Sequence, residues 1–195
     1  AAAGAVILLP LQISIGAITV TINGLVPWGY SVPTHAAHLV AALSIFTLLS
    51  LTTIYAYRDH HSRPPRARSR RALGVTLIAL LVSGLFSRGV PLLEYSVGAQ
   101  AWYYAVSLVA VVGLLATVHW LTGVDRLGRQ LAGVALGIVV ATMLIGRDLI
   151  VYTPTVQLLN FGLYVAAVVL VAAGLWRLFG GAQSPSTPFG TEHSE

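Results

Sequence analysis

The sequence predicts an all-α polytopic membrane protein: six transmembrane helices in a bundle, with a weak internal helix-pair repeat. The first observation behind this is composition. Only 9% of the 195 residues are charged and 56% are hydrophobic, with a mean hydropathy of +0.82. A soluble domain carries roughly a quarter of its residues as Asp, Glu, Lys and Arg, so the surface of this chain belongs in lipid. The second is spacing, because six apolar runs approach the roughly 20 residues that a helix needs to cross a bilayer. The third is the crowding of arginine into alternate loops.

The first span, 3–23, opens in AAAGAVILLPLQ. It reaches Ile22 without a basic flank, and so reads as a span and not as a cleavable signal. NGLVPWGYSVPT breaks the chain before the second span, 34–57. RDHHSRPPRARSRR separates that from 72–88, and RGVPLLEYS leads to 101–122. GVDRLGR and RDLIVYTPT bound the last two spans, 130–147 and 156–178. Gly and Pro supply the punctuation at these breaks. The spans form one transmembrane domain, 1–179, and the Ser-, Pro- and Gly-rich segment 180–195 reads as a flexible tail.

Orientation follows from the arginines. Arg58, Arg63, Arg66, Arg68, Arg70 and Arg71 fall in the second loop, Arg126 and Arg129 in the fourth, and Arg177 at the start of the tail. Only Arg88 and Arg147 fall on the other side. The positive-inside rule puts the nine in the cytoplasm, which places both termini there, in the cytoplasmic membrane of a prokaryote. Trp28, Tyr30, Tyr95, Trp102, Tyr103 and Tyr152 then form an outer aromatic belt.

Composition also removes chemistries. The net charge is +5 and there is no Lys, which excludes a retinal Schiff base and a Lys nucleophile. Without Cys there is no disulfide, iron–sulfur site or thiolate ligand. Membrane topology accounts for the arginines, so nucleic acid is not an expected partner. The expected partners are the lipid bilayer and other membrane subunits.

Shifting the chain by 121 residues lays the first helix pair on the last. Gly16 falls on Gly137, and Pro33-Thr34 on Pro154-Thr155. Proline suits the first turn of a helix, where its missing N–H costs nothing. Chance between apolar segments is the competing account; a duplicated helix pair is the functional one. His38 falls on Leu159 and His35 on Val156, so the second copy does not repeat the histidines.

Those histidines are the first candidates for chemistry. His35 and His38 stand at i and i+3 on one face of the second span. Either they are solvated in the headgroup zone, or one ring binds a metal or a haem iron, for which His is the usual axial ligand. No third ligand of the kind zinc requires lies near them. His119 belongs to the opposite membrane face and reads as an interfacial anchor, while His60, His61 and His193 lie in polar segments.

Arg88 and Arg147 break the positive-inside pattern, and so call for an explanation. Pairing with Glu94 and Asp148 is one, though surface pairs contribute little. A bound carboxylate is another, since the guanidinium fork matches it. Gln12, four residues before Gly16, is polar within the first span and could bond between helices or line a site.

LQISIGAITVTINGLVPW followed by THAAHLVAALSIFTLLS resembles the helix pair that closes each half of the haem A synthases, through Gln12, Gly16, Gly24, Leu25, Pro27, His38 and Leu39. SGLFSRGV and RQLAGVALGIVV resemble helices of a second half, with Arg88 at its outer end. The resemblance implies haem b or a related haem as cofactor. It implies His38 as axial ligand to the iron, with His35 a neighbour or alternate. Arg88 and Arg147 would face the propionates, and Gln12 would stand in the pocket wall. The chain departs from the family pattern in having six spans where members have eight or four. A Glu–x–x–His-Arg motif is replaced by AWYYAVS, and Leu159 or Asn160 stands where the last helix should carry His. His38 therefore has no partner histidine in view.

Two function classes follow: a haem-binding membrane protein acting in haem and terminal-oxidase maturation, or a non-catalytic integral subunit of a respiratory complex built on that scaffold. A haem A synthase-like oxidoreductase activity would require the family site to be intact. A transporter ranks third, as the mid-span polar groups read as Ser, Thr and Gln, too few for an ion path.

Overall fold

A computed structural model describes residues 1–25, 32–57, 64–87, 96–145 and 153–180. They form six helices: α1 (Ala2–Leu25), α2 (Val32–Ala56), α3 (Pro65–Leu85), α4 (Val97–Trp120), α5 (Arg126–Ile145) and α6 (Pro154–Gly180), with no strand among the described residues. The protein is an all-α membrane bundle. All but α3 are long and apolar enough to cross a bilayer. The first turns of α3 carry Arg66, Arg68, Arg70 and Arg71, which leaves only 72–85 of that helix apolar.

Those arginines mark a difference from the sequence expectation, which put them in a loop. Arg126 and Arg129 are likewise inside α5, and Arg177 lies in α6, not in the tail. Hydropathy detects only the stretch within the hydrocarbon core, about 30 Å thick. A helix once nucleated adds residues at little cost, and Arg is a good helix former. At 1.5 Å per residue the 27 residues of α6 reach well past the core. Pro65 at the first turn starts α3 early, and Ser96 caps α4 by accepting the Ala99 N–H at 3.1 Å.

Helices α3, α4, α5 and α6 close a ring in which each packs on its neighbours and α6 returns to α3. Their buried positions recur at steps of four and three. On α3 these are Ser69, Leu73, Thr76, Leu80 and Ser83; on α4, Tyr103, Ser107, Ala110, Leu114, Thr117 and Leu121 just beyond its end; on α5, Gly128, Ala132, Ala135, Val139 and Thr142. This is the spacing of helices that cross at about 20°. Many of these residues are small, which lets backbones approach in a medium that supplies no hydrophobic drive between helices. Contact is closest at Gly113, where a Cβ would collide with Thr76 Oγ1 and come within 3.2 Å of the Ala72 carbonyl. Gly84 makes similar room for the Tyr164 hydroxyl, which donates to the Leu80 carbonyl at 2.9 Å.

The α1–α2 pair attaches to this ring mainly through α2 on α4, with Leu43, Phe46, Leu51 and Ile54 against the core. Tyr103, expected in the outer aromatic belt, is buried in the bundle, whereas Trp102 is exposed and stacks on Phe86 with ring centroids 6.5 Å apart. The two are neighbours on one helix, about 100° apart, and the turn of α4 points Tyr103 into the bundle and Trp102 out of it. Trp28, Tyr30, Tyr95 and Tyr152 lie outside the described residues.

The α4–α5 turn passes through Gly123 at φ +75°, a left-handed value that Gly adopts without strain. It then places Asp125 as the N-cap of α5. The Asp125 carboxylate accepts the Gly128 N–H at 2.9 Å and pairs with Arg177 Nε at 3.1 Å. Burial alone would raise its pKa, but the Gly128 N–H, Arg177 and then Arg66 together hold it below the ordinary aspartate value.

Two predictions follow from this packing. Gly113→Ala should destabilise by about 1–3 kcal/mol through overpacking, whereas Gly137→Ala, with open space around it, should change little or gain helix propensity. Thermal unfolding in mild detergent tests the pair, and equal effects would refute the close approach. Asp125→Asn keeps the cap and removes the charge. Because the folded pKa is lowered, the charge stabilises fully above the unfolded value of about 3.9 and is lost as pH falls through the folded one. The variant should therefore melt below wild type at pH 7, and the gap should close under strong acid.

Candidate functional site: an imidazole held between two helices

The α1 face toward α2 is built from Ala5, Gln12, Gly16 and Thr19, and the α2 face from His38, Ala41, Ile45 and Leu48. Both sets keep the four-and-three spacing along their length, so each forms one stripe. At one end Leu48 covers Gly4, where a Cβ would lie 3.3 Å from its Cδ1. Toward the other end His38 covers Gly16, where a Cβ would lie 3.3 Å from Cε1 and 3.6 Å from Nδ1. Gly16 is thus the gap that admits the ring.

Gln12, near the middle of α1, closes the cluster with its Nε2 3.1 Å from His38 Nε2. Two tautomers can make this bond. If the amide N–H donates, the imidazole proton sits on Nδ1. If the amide is reversed, Nε2–H donates to the carbonyl and Nδ1 keeps a lone pair, the form that ligates metals. His38 Nδ1 and Gln12 Oε1 are both covered and have no hydrogen-bond partner among the described residues. His38 is therefore not a freely solvated headgroup side chain. A covered polar atom without a partner costs about 1–3 kcal/mol, and two of them share this one contact.

Among the described residues no group of three His, Cys, Asp or Glu side chains could hold a bare metal ion. His35 lies half-buried one turn before His38 on α2. Iron at His38 Nε2 would have to displace the Gln12 amide, while Nδ1 lies against the Gly16 backbone. The structure brings together Gln12, Gly16 and His38, three of the residues that carry the family resemblance. Arg88 and Arg147, with Glu94, Asp148, His60, His61 and His193, lie outside the described residues.

In the last helix pair the equivalent positions differ. A Cβ on Gly137 would meet no neighbouring side chain or helix within 4 Å among the described residues, and Leu159 is 54% exposed. His119 meets the Tyr55 ring edge-to-face with centroids 4.5 Å apart, tying α2 to α4. Sequence reasoning missed the Asp125–Arg177 pair, although Asp three residues before Gly128 after a Gly-Val turn is an N-cap signal. It also passed over the polar groups of Asn160, Tyr104 and Tyr164. Asn160 is buried, and the Tyr104 hydroxyl donates to the Met143 carbonyl at 2.9 Å. A polar side chain inside an apolar run was the available signal.

Gln12→Leu and His38→Leu should each lower thermal stability, because each leaves a covered polar partner behind. The double variant should recover much of the loss, as a double-mutant cycle of melting curves will read. Additive losses would mean that the two side chains do not interact.

Comparison with protein-family models, with curated proteins and with solved structures gives no match.

Proposed function

We propose that the protein is a haem-binding integral membrane protein of haem A synthase type, acting in haem and terminal-oxidase maturation. The observation that carries this reading is the meeting of Gln12, Gly16 and His38 across α1 and α2. A histidine within a span is costly and generally serves a function. Here the ring is seated over a glycine, and Gln12 stands at the nitrogen that iron would take, so haem binding in this reading requires the amide to turn aside. His38 is the axial ligand in this reading and His35 its neighbour. Arg88 and Arg147 neutralise propionates from the outer side. The bound group, haem b or a related haem, supplies the redox chemistry. All six helices cross the membrane, with both termini in the cytoplasm. The arginines of α3 and α5 and Arg177 of α6 support that orientation.

A second reading is an integral respiratory-complex subunit with no cofactor of its own. It is favoured by the engagement of His38 Nε2 with Gln12 and by the open surroundings of Gly137 and Leu159 in the last pair. Exposed apolar residues along α1, such as Ile7, Ile13 and Val20, then face lipid or neighbouring subunits.

Oxidised and dithionite-reduced absorption spectra of the protein in mild detergent separate the two. Under the haem reading a Soret band is present, disappears in His38→Ala and survives in His35→Ala. Folded wild type without a band, or a band that persists in His38→Ala, sinks that reading. Co-purification with a larger complex would then support the second.

A further inference from the structure

A groove with about 470 Å³ of space runs between α3 and α4. Arg68, Arg71 and Val75 line one side, and Val112, Ala116 and Trp120 the other. Its floor is the close approach of the two helices at Gly113. On α3 the lining residues stand at i, i+3 and i+7, so the arginines continue the same stripe as the apolar Val75. On α4 the apolar stripe ends at Trp120. The groove is therefore apolar along its length and cationic at one end.

That end is unusual in its charge. The Arg68 guanidinium carbon lies 5.2 Å from the centroid of the Trp120 ring. Its Nε and Nη1 are covered and have no hydrogen-bond partner among the described residues. Arg71 is exposed beside it. Asp125 is committed to Arg177 and the Gly128 N–H, and among the described residues no carboxylate lines the groove. Arg68 and the exposed Arg71 therefore stand together with no acid beside them among the described residues, and a guanidinium fork matches a phosphate oxygen pair. Free phosphate would leave the apolar walls without contact.

We propose that this groove binds an anionic phospholipid, with its phosphate on Arg68 and Arg71 and an acyl chain along Val75, Val112 and Ala116. Basic pockets between transmembrane helices recognise anionic headgroups in this way, at about 1 kcal/mol for each arginine near the surface. The arginine-rich end of the bundle sets which leaflet supplies the lipid. The inference is independent of any haem at His38.

Native mass spectrometry of the full chain in detergent, with equimolar dioleoyl phosphatidylglycerol and dioleoyl phosphatidylcholine, tests it. Wild type should retain the anionic phosphatidylglycerol in preference to the zwitterionic phosphatidylcholine. Arg68→Gln should cut that preference about fivefold, and Arg71→Gln, at an exposed position, serves if the first fails to fold. Val75→Trp, also exposed, should fill the groove and lower retention of both lipids. Arg70→Gln is the control, since Arg70 lies over Phe179, with its guanidinium carbon 4.8 Å from the ring centroid, and not in the groove. The proposal is overturned if Arg70→Gln weakens the preference as much as Arg68→Gln. Undiminished lipid in Val75→Trp, or a second copy of the chain bound in place of lipid, also overturns it.

Discussion

The constraint behind the whole structure is that hydrocarbon offers no hydrogen-bond partners, so polar atoms in the spans must find them within the chain. Helices satisfy the backbone. The hydroxyls are handled locally: Thr19, Ser44, Thr52 and Thr117 donate to carbonyls four residues back, at 2.7 to 2.8 Å. Such bonds make Ser and Thr nearly apolar from the outside and small enough for helix contacts. Tyr104 and Tyr164 do something different. Their long side chains reach another helix and donate to the Met143 and Leu80 carbonyls, joining α4 to α5 and α6 to α3. Glycine then follows as a geometric requirement, because Tyr164 can reach Leu80 only where Gly84 presents no Cβ.

The same constraint explains the arginine-rich start of α3. Arg66 and Arg68, in the first turn of α3, oppose the macrodipole at about 0.3–1 kcal/mol each when exposed. Local propensity would rather place acids there. The arrangement is held by what surrounds it: Arg68 over Trp120, Arg70 over Phe179, and Arg66 beside the Asp125–Arg177 pair. Aromatic faces attract cations at about 0.5–1 kcal/mol at exposed sites, enough to offset much of the dipole penalty. Trp120, Trp176 and Phe179 gather at this end of the bundle.

Helix number and order were legible in the sequence because lipid imposes a long, uniform apolar signal. Helix ends were less so: Arg66 to Arg71 are polar and helical at once, and hydropathy cannot distinguish that from a loop. Rotation about each helix axis was the least legible property. The spans are apolar on every side, so Tyr103 and Trp102 look alike in sequence although one is buried and the other exposed. Within the candidate site, Gln12 and His38 stood out as polar residues in spans, and the family resemblance placed Gly16 with them. What the sequence could not supply was their mutual contact, which depends on the pairing register of α1 and α2.

That register is fixed by two glycines. Gly4 receives Leu48 and Gly16 receives His38, twelve residues apart on α1 and ten on α2, as antiparallel helices of equal rise nearly require. Sliding α2 by one turn would put a bulky side chain over a helix surface that no longer has a gap for it. The imidazole is thus part of the packing that aligns the pair as well as a candidate ligand. In the last pair, Leu159 replaces the histidine, and Gly137 is left without a side chain to receive. The meeting of Gln12, Gly16 and His38 in the first pair is the feature that any account of function has to explain.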